Sequence, residues 1–139
     1  MSIRIYYDKT DFRLKGWREA RKIINKVIRS NDKISGDLNF IITDDETIRR
    51  INIQFLKHDY CTDVITFDNN EGDIVNGEIY ISIDTVRSNS LSYNVTLGNE
   101  IQRVMIHGVL HLLGYDDQTE DDKRKIHNME DLWLELLEN

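Results

Sequence analysis

The chain has 139 residues and a mass of 16.4 kDa, a length that fits one domain, and its 40% hydrophobic content is enough for an ordinary core. Eighteen Lys and Arg against 25 Asp and Glu leave a formal net charge of -7, which excludes the uniformly basic surface that usually accompanies nucleic-acid binding. No apolar run approaches the roughly 18 residues that span a bilayer, neither end shows a charged-then-apolar signal pattern, and the single Cys61 cannot form an internal disulfide, so a soluble cytoplasmic protein is expected.

Ser2 to Tyr7 alternates like a strand, and Trp17 to Ser30 has helical spacing in Ala20, Ile23, Ile24, Val27 and Ile28. The N-terminal quarter also concentrates cations, among them Arg18, Arg21, Lys22, Lys26 and Arg29, giving either an RNA-facing surface or a merely solvated helix face. Leu38 to Thr43 reads as a second strand, and Thr43 to Glu46 resembles a capping box opening a helix through Ile48, Ile51 and Phe55. Asp63 to Phe67 and Glu78 to Ser82 supply two more strands, joined by a polar loop over 68–76. Thr62 and Asp63 either reach into a cavity at the head of their strand or simply cap its turn. Helices follow near 84–92 and 99–113, and Thr119 with Asp122 caps a last helix whose apolar stripe is Ile126, Met129, Trp133, Leu136 and Leu137, with His127 off the stripe on the surface. The order implies an α+β domain, a small mixed sheet of about four strands flanked by helices, with the strands as the floor of a cleft.

The segment His107-Gly-Val-Leu-His111-Leu-Leu-Gly114-Tyr-Asp-Asp117 carries the chemistry. Histidines four residues apart on a helix project from one face, a turn apart, and can share one ion. Gly114 is suited to end that helix, and the reversal returns Asp117 toward the same point. Two imidazoles and a carboxylate suit zinc, with a fourth position open to water. The helix is apolar nearly all round, so two buried imidazoles without a shared cation would be hard to satisfy. The spacing also matches the metzincin frame HExxHxxGxxH, but Gly108 replaces its glutamate, the proton carrier of peptide hydrolysis, and so disfavours a peptidase.

These residues resemble the signature HGxLHLxGYDH of the YbeY family of metal-dependent endoribonucleases, with Asp117 in place of the usual third histidine. Thr62-Asp63-Val64-Ile65-Thr66-Phe67 is similar to that family's TDVLSF segment, and Gly77-Glu78-Ile79-Tyr80-Ile81-Ser82 to its GDIxIS strand. The resemblance implies a single YbeY-like metallohydrolase domain over 1–139 that cleaves single-stranded RNA in ribosomal RNA maturation and ribosome quality control. RNA and the ribosome or its associated proteins are the implied partners, and His107, His111 and Asp117 the implied metal ligands. The family's arginine in its YRxKD stretch is Leu56 here, so Lys57 or His58 replaces its grip on phosphate, or phosphate is held differently. A carboxylate ligand also tolerates Fe(II), Mn(II) or Ni(II), although zinc is expected first. The sequence identifies no general base, and the alternative readings are a non-catalytic, metal-stabilised ribosome assembly factor or a metallohydrolase of another substrate such as peptides.

Overall fold

The computed structural model describes residues 2–138. Strand β1 (Ile3–Tyr7) leads through helix α1 (Trp17–Ser30) to β2 (Ile34–Thr43), which lies parallel to β1 with Ile5 opposite Phe40. Helix α2 (Asp45–Ile51) continues into a π-helical turn (Asn52–Leu56), ended by Lys57 in the left-handed region at φ 61°. Then come β3 (Val64–Asp68), β4 (Ile74–Ser82) and the helices α3 (Ile83–Ser92), α4 (Leu97–Leu112) and α5 (Glu120–Glu138). The sheet order is β1-β2-β4-β3, with β4 parallel to β2 and edge strand β3 antiparallel to β4, a mixed four-stranded sheet as the sequence implies.

Alternation along the strands decides which side the helices cover. Leu38, Phe40 and Ile42 pair with Gly77, Ile79 and Ile81, and this row is buried. Trp17 of α1 meets Phe40 edge-on, and α4 lies on Ile79, so both helices cover the same face. The buried stripe of α1 is Ala20, Ile23, Ile24, Val27 and Ile28, and its opposite side carries the exposed Arg18, Arg21, Lys22, Lys26 and Arg29. Phe55 of the π turn packs edge-on to Phe67, which meets Tyr80 in the same way on the other face of the sheet.

Two details differ from the sequence reading. The cap of α2 is Asp44, whose side chain accepts from the Thr47 amide at 2.9 Å, whereas Thr43 is the last residue of β2, paired with Ser82 and fully buried. A hydroxyl held in the sheet cannot turn to cap, so the first residue past the strand does so. β2 and β4 also begin four residues earlier than their apolar alternation suggests, because pairing of Ile34 with Ile74 and Ser35 with Val75 extends the ladder through a register shift.

The seating of α4 rests on Gly108. A Cβ there would stand 2.9 Å from Ile79 Cγ2 and 3.4 Å from Thr66 Cγ2, so only a bare Cα lets the helix lie this close to β3 and β4. Gly98, in the same helix, has nothing within 4 Å of an added Cβ. Alanine at both sites gains helix propensity, but at Gly108 the overlap, about 1–3 kcal/mol, outweighs the roughly 1 kcal/mol gain. In urea unfolding, Gly98→Ala is expected to raise the midpoint by the equivalent of about 0.5 kcal/mol, and Gly108→Ala to lower it by about 1 kcal/mol.

Candidate metal centre

Helix α4 is capped at both ends by side chains and turns that the sequence specifies. Thr96 Oγ1 accepts from the Asn99 amide at 3.0 Å. At the other end Gly114, at φ 98°, lets its own amide reach the His111 carbonyl and the Tyr115 amide reach the Leu110 carbonyl, each at 3.0 Å. This paired closure is the Schellman arrangement that glycine favours. The chain reverses there, and Asp116 Oδ1 accepts from the Asp117 amide at 2.8 Å, steadying the segment that carries the third donor.

The three side chains meet as their spacing implies. His107 Nε2 and His111 Nε2 are 2.9 Å apart, and Asp117 Oδ2 lies 3.5 Å from the first and 3.3 Å from the second. For metal–donor bonds of about 2.0–2.2 Å, tetrahedral donors stand roughly 3.3–3.5 Å apart, so the trio needs little adjustment to share a zinc-sized cation. The His107, His111 and Asp117 side chains retain 23%, 26% and 42% exposure, so the group opens to one side instead of being sealed in the core.

A carboxylate outside this trio fixes the chemistry of His107. Glu130 of α5 is buried, and its Oε2 is 2.6 Å from His107 Nδ1. An ionised carboxylate can only accept, so Nδ1 carries the proton and a neutral His107 presents a bare lone pair at Nε2. Burial alone would lower the imidazole pKa, but the Glu130 bond and the charges of Glu130, Asp117 and Asp63 together hold it above its ordinary value. Glu130 is itself gripped: Arg103 Nη1 donates to its Oε1 at 2.9 Å while Nη2 donates to Asp131 Oδ1 at 2.5 Å. The donor set therefore fits a cation, with one nitrogen oriented as a ligand and a carboxylate oxygen facing it.

A cleft of about 530 Å³ adjoins the trio, bounded by α4, α5 and the α3–α4 turn. No strand residue among those described lines it, and Asp63, just before β3, is its only neighbour from that side, so its floor is the outward face of α4 and not the sheet. Asp63 accepts from Thr62 Oγ1 at 3.4 Å, and burial holds its carboxyl above the usual range. Lys57 and His58 are exposed in the segment after the π turn, where His58 stacks on Tyr60, and neither lines the cleft. His127, expected as a plain surface residue, keeps an exposed side chain at the rim, 3.8 Å from Glu130.

Sequence reasoning missed Glu130, Arg103 and Glu100. The signal was available: Glu100, Arg103, His107 and His111 recur at helical spacing on one face, and Glu130 interrupts the apolar stripe between Ile126 and Trp133. That stripe also shifts, since Leu134 is buried while Leu136 is exposed.

The family model described as Endoribonuclease YbeY matches residues 5–138. The chain is 40% identical over 126 residues to "Endoribonuclease YbeY" of Christiangramia forsetii, covering 91% of this chain and 88% of that one. It is 47% identical over 102 residues to the protein of the same name from Chlorobaculum parvum, covering 73% and 72%. A solution structure of a Thermotoga maritima protein aligns with a TM-score of 0.67 at 30% identity, over 98% of this chain and 89% of that one. No helix among the described residues is long and apolar enough to cross a membrane.

Glu100 yields a stability test. It is 4% exposed, and burial raises its carboxyl above the ordinary value despite the opposing charge of Arg103. A carboxyl whose folded pKa exceeds its unfolded one binds more protons when folded, so its contribution favours folding at low pH and is lost as pH rises through the raised pKa. Glu100→Gln is therefore expected to raise Tm at pH 7 by about 3–5 °C, the shift that about 1 kcal/mol gives in a domain of this size, with the gain shrinking toward pH 4. Melting curves across that range check it.

Proposed function

Since that family model spans nearly the whole sequence, the chain belongs to the YbeY endoribonucleases, and we propose that it is a metal-dependent endoribonuclease cutting single-stranded RNA in ribosomal RNA maturation and ribosome quality control. The observation that carries the reading is the convergence of His107, His111 and Asp117 on one point at the mouth of a cleft. These three residues would hold one divalent ion, zinc first, with Mn(II), Fe(II) or Ni(II) accommodated by the carboxylate. Such an ion supplies a water acidified toward neutral pH and a positive charge against phosphate oxygens.

The chain's own residues account for the rest. Glu130 holds the Nδ1 proton of His107, keeping the ring turned so that Nε2 faces Asp117 and His111. Arg103 holds Glu130 in place and partly balances its buried charge. Partial exposure of the trio supports a reacting site, because a structural zinc site is closed by four protein ligands. Gly108 argues against peptide hydrolysis on steric as well as chemical grounds: its position faces Ile79 and Thr66 across the sheet contact, away from the cleft, so a glutamate there could not reach the trio without unseating α4. The cations along the outer side of α1 supply a surface for RNA phosphates despite the acidic total, and Lys57 and His58, away from the cleft, would contact RNA only beyond the cut.

Chelator-stripped protein should lose cleavage of a labelled single-stranded RNA and regain it when zinc or manganese is titrated in. His111→Ala should abolish both metal binding and cleavage while circular dichroism stays native. Glu130→Ala should weaken metal affinity by about 10–100-fold, the usual effect of removing a group that orients a ligand. Joint loss of metal and fold in His111→Ala would support the assembly-factor alternative instead.

A further inference from the structure

Glu100 is the buried charged group that the metal centre does not use. It lies on the face of α4 that carries His107 and His111, two turns before His107, or about 10 Å along the axis. The residue is 96% buried, yet among the described residues its carboxylate has no hydrogen bond or ion pair. Arg103, the cation whose charge acts on it, directs its donors to Glu130 and Asp131. Asp63 and Glu130 add repulsion, and burial holds the carboxyl above its ordinary range. Its oxygens open onto the cleft, unlike the sealed Thr43 Oγ1, Thr47 Oγ1 and Trp133 Nε1, so the fold supplies no donor to them and leaves their pairing to what enters the cleft.

The surroundings indicate what the carboxylate receives. Glu100 and Asp63 face the same cleft, whose apolar walls include Tyr93, Val95, Val104 and Ile126. Arg103 in the wall is taken up by Glu130 and Asp131, and Lys123 at the edge pairs with Glu120, so the two acids prevail here and the phosphodiester belongs at the cation. Apolar walls with an exposed tyrosine among them suit a flat ring, and about 530 Å³ holds a base with its ribose.

We propose that this cleft is a nucleobase subsite beside the metal centre, in which Glu100 accepts the adjacent N1–H and N2–H donors of guanine. The proposal rests on the endoribonuclease reading above. Guanine is the one common base with two donors side by side on its pairing edge, matched to the two oxygens of a carboxylate. Adenine and cytosine set a single amino group beside a ring lone pair, and uracil sets its imino group between two carbonyls, so each turns an acceptor toward Glu100. The two new bonds would relieve the carboxylate's isolation, and discrimination follows from leaving it unpaired when another base enters.

The test is equilibrium binding of 5′-GMP, IMP, AMP, CMP and UMP to the full-length, metal-free protein, followed by cleavage of RNA oligonucleotides varied at one position next to the cut. GMP is expected to bind at least about tenfold tighter than AMP, CMP and UMP, and IMP, which lacks the N2 amino group, to fall about tenfold below GMP. In Glu100→Gln, which keeps the side chain's size but replaces one acceptor with a donor, the guanine preference should collapse to within about twofold in binding and in kcat/KM. Equal affinity for the four common nucleotides, or a guanine preference that survives Glu100→Gln, overturns the proposal. RNA cleavage with no base preference at any position sinks the subsite and leaves the nuclease standing. Guanine-selective binding without cleavage under any metal supports the subsite and sinks the nuclease.

Discussion

The bond between Glu130 and His107 is the constraint on which the site depends. Without it His107 could carry its proton on either nitrogen and turn freely within its pocket. With it, Nε2 is a lone pair fixed 3.5 Å from Asp117 and 2.9 Å from His111. The bond also ties two levels of structure together. Glu130 belongs to the C-terminal helix, so docking of α5 on α4 is what turns the His107 ring toward His111 and Asp117. Arg103 makes that docking polar at its centre, and the buried carboxylate is tolerable because both of its oxygens are engaged.

Helix α4 can hold this arrangement because its two sides do different work. The inner side lies flat on β3 and β4, permitted by Gly108, and contributes Ile101, Met105, Val109 and Leu112 to the core. The outer side presents Glu100, Arg103, His107 and His111 in sequence along the cleft. Rigid seating of one side positions the other, which is how the helix holds His107 and His111 in fixed relation to each other. Gly114 completes the arrangement by ending the helix where the chain must double back to bring Asp117 to the histidines.

Much of this was legible in the sequence, for identifiable reasons. The i, i+4 histidines, the terminating glycine and the carboxylate three residues later are a local pattern, and local geometry alone places them together. Helix α1 matched its expected bounds because its apolar residues repeat at helical spacing and its cations fill the opposite arc. The early ends of β2 and β4 were hidden because pairing across a register shift, not alternation, extends them. Glu130 was hidden differently: it sits among the acidic residues of the last helix, and nothing local separates the one that turns inward from those that stay in water. Only the crossing of α5 over α4 makes that distinction, and it is a tertiary fact.

Two carboxylates on this interface show how stability and function divide. Glu130 and Glu100 are equally buried at 4% exposure, yet one has a histidine and an arginine on its oxygens and the other has neither. If burial served only packing, both positions would be better filled by apolar side chains of similar size, since even a paired buried charge is often no gain over a hydrophobic one. Glu130 escapes that argument because its charge fixes the proton and orientation of His107. Glu100 has no such return within the folded chain, so its benefit lies outside it, in a molecule that brings donors into the cleft. Glu100 thus stands apart from the paired Arg103, Glu130 and His107 as the carboxylate on this interface whose donors the fold does not supply.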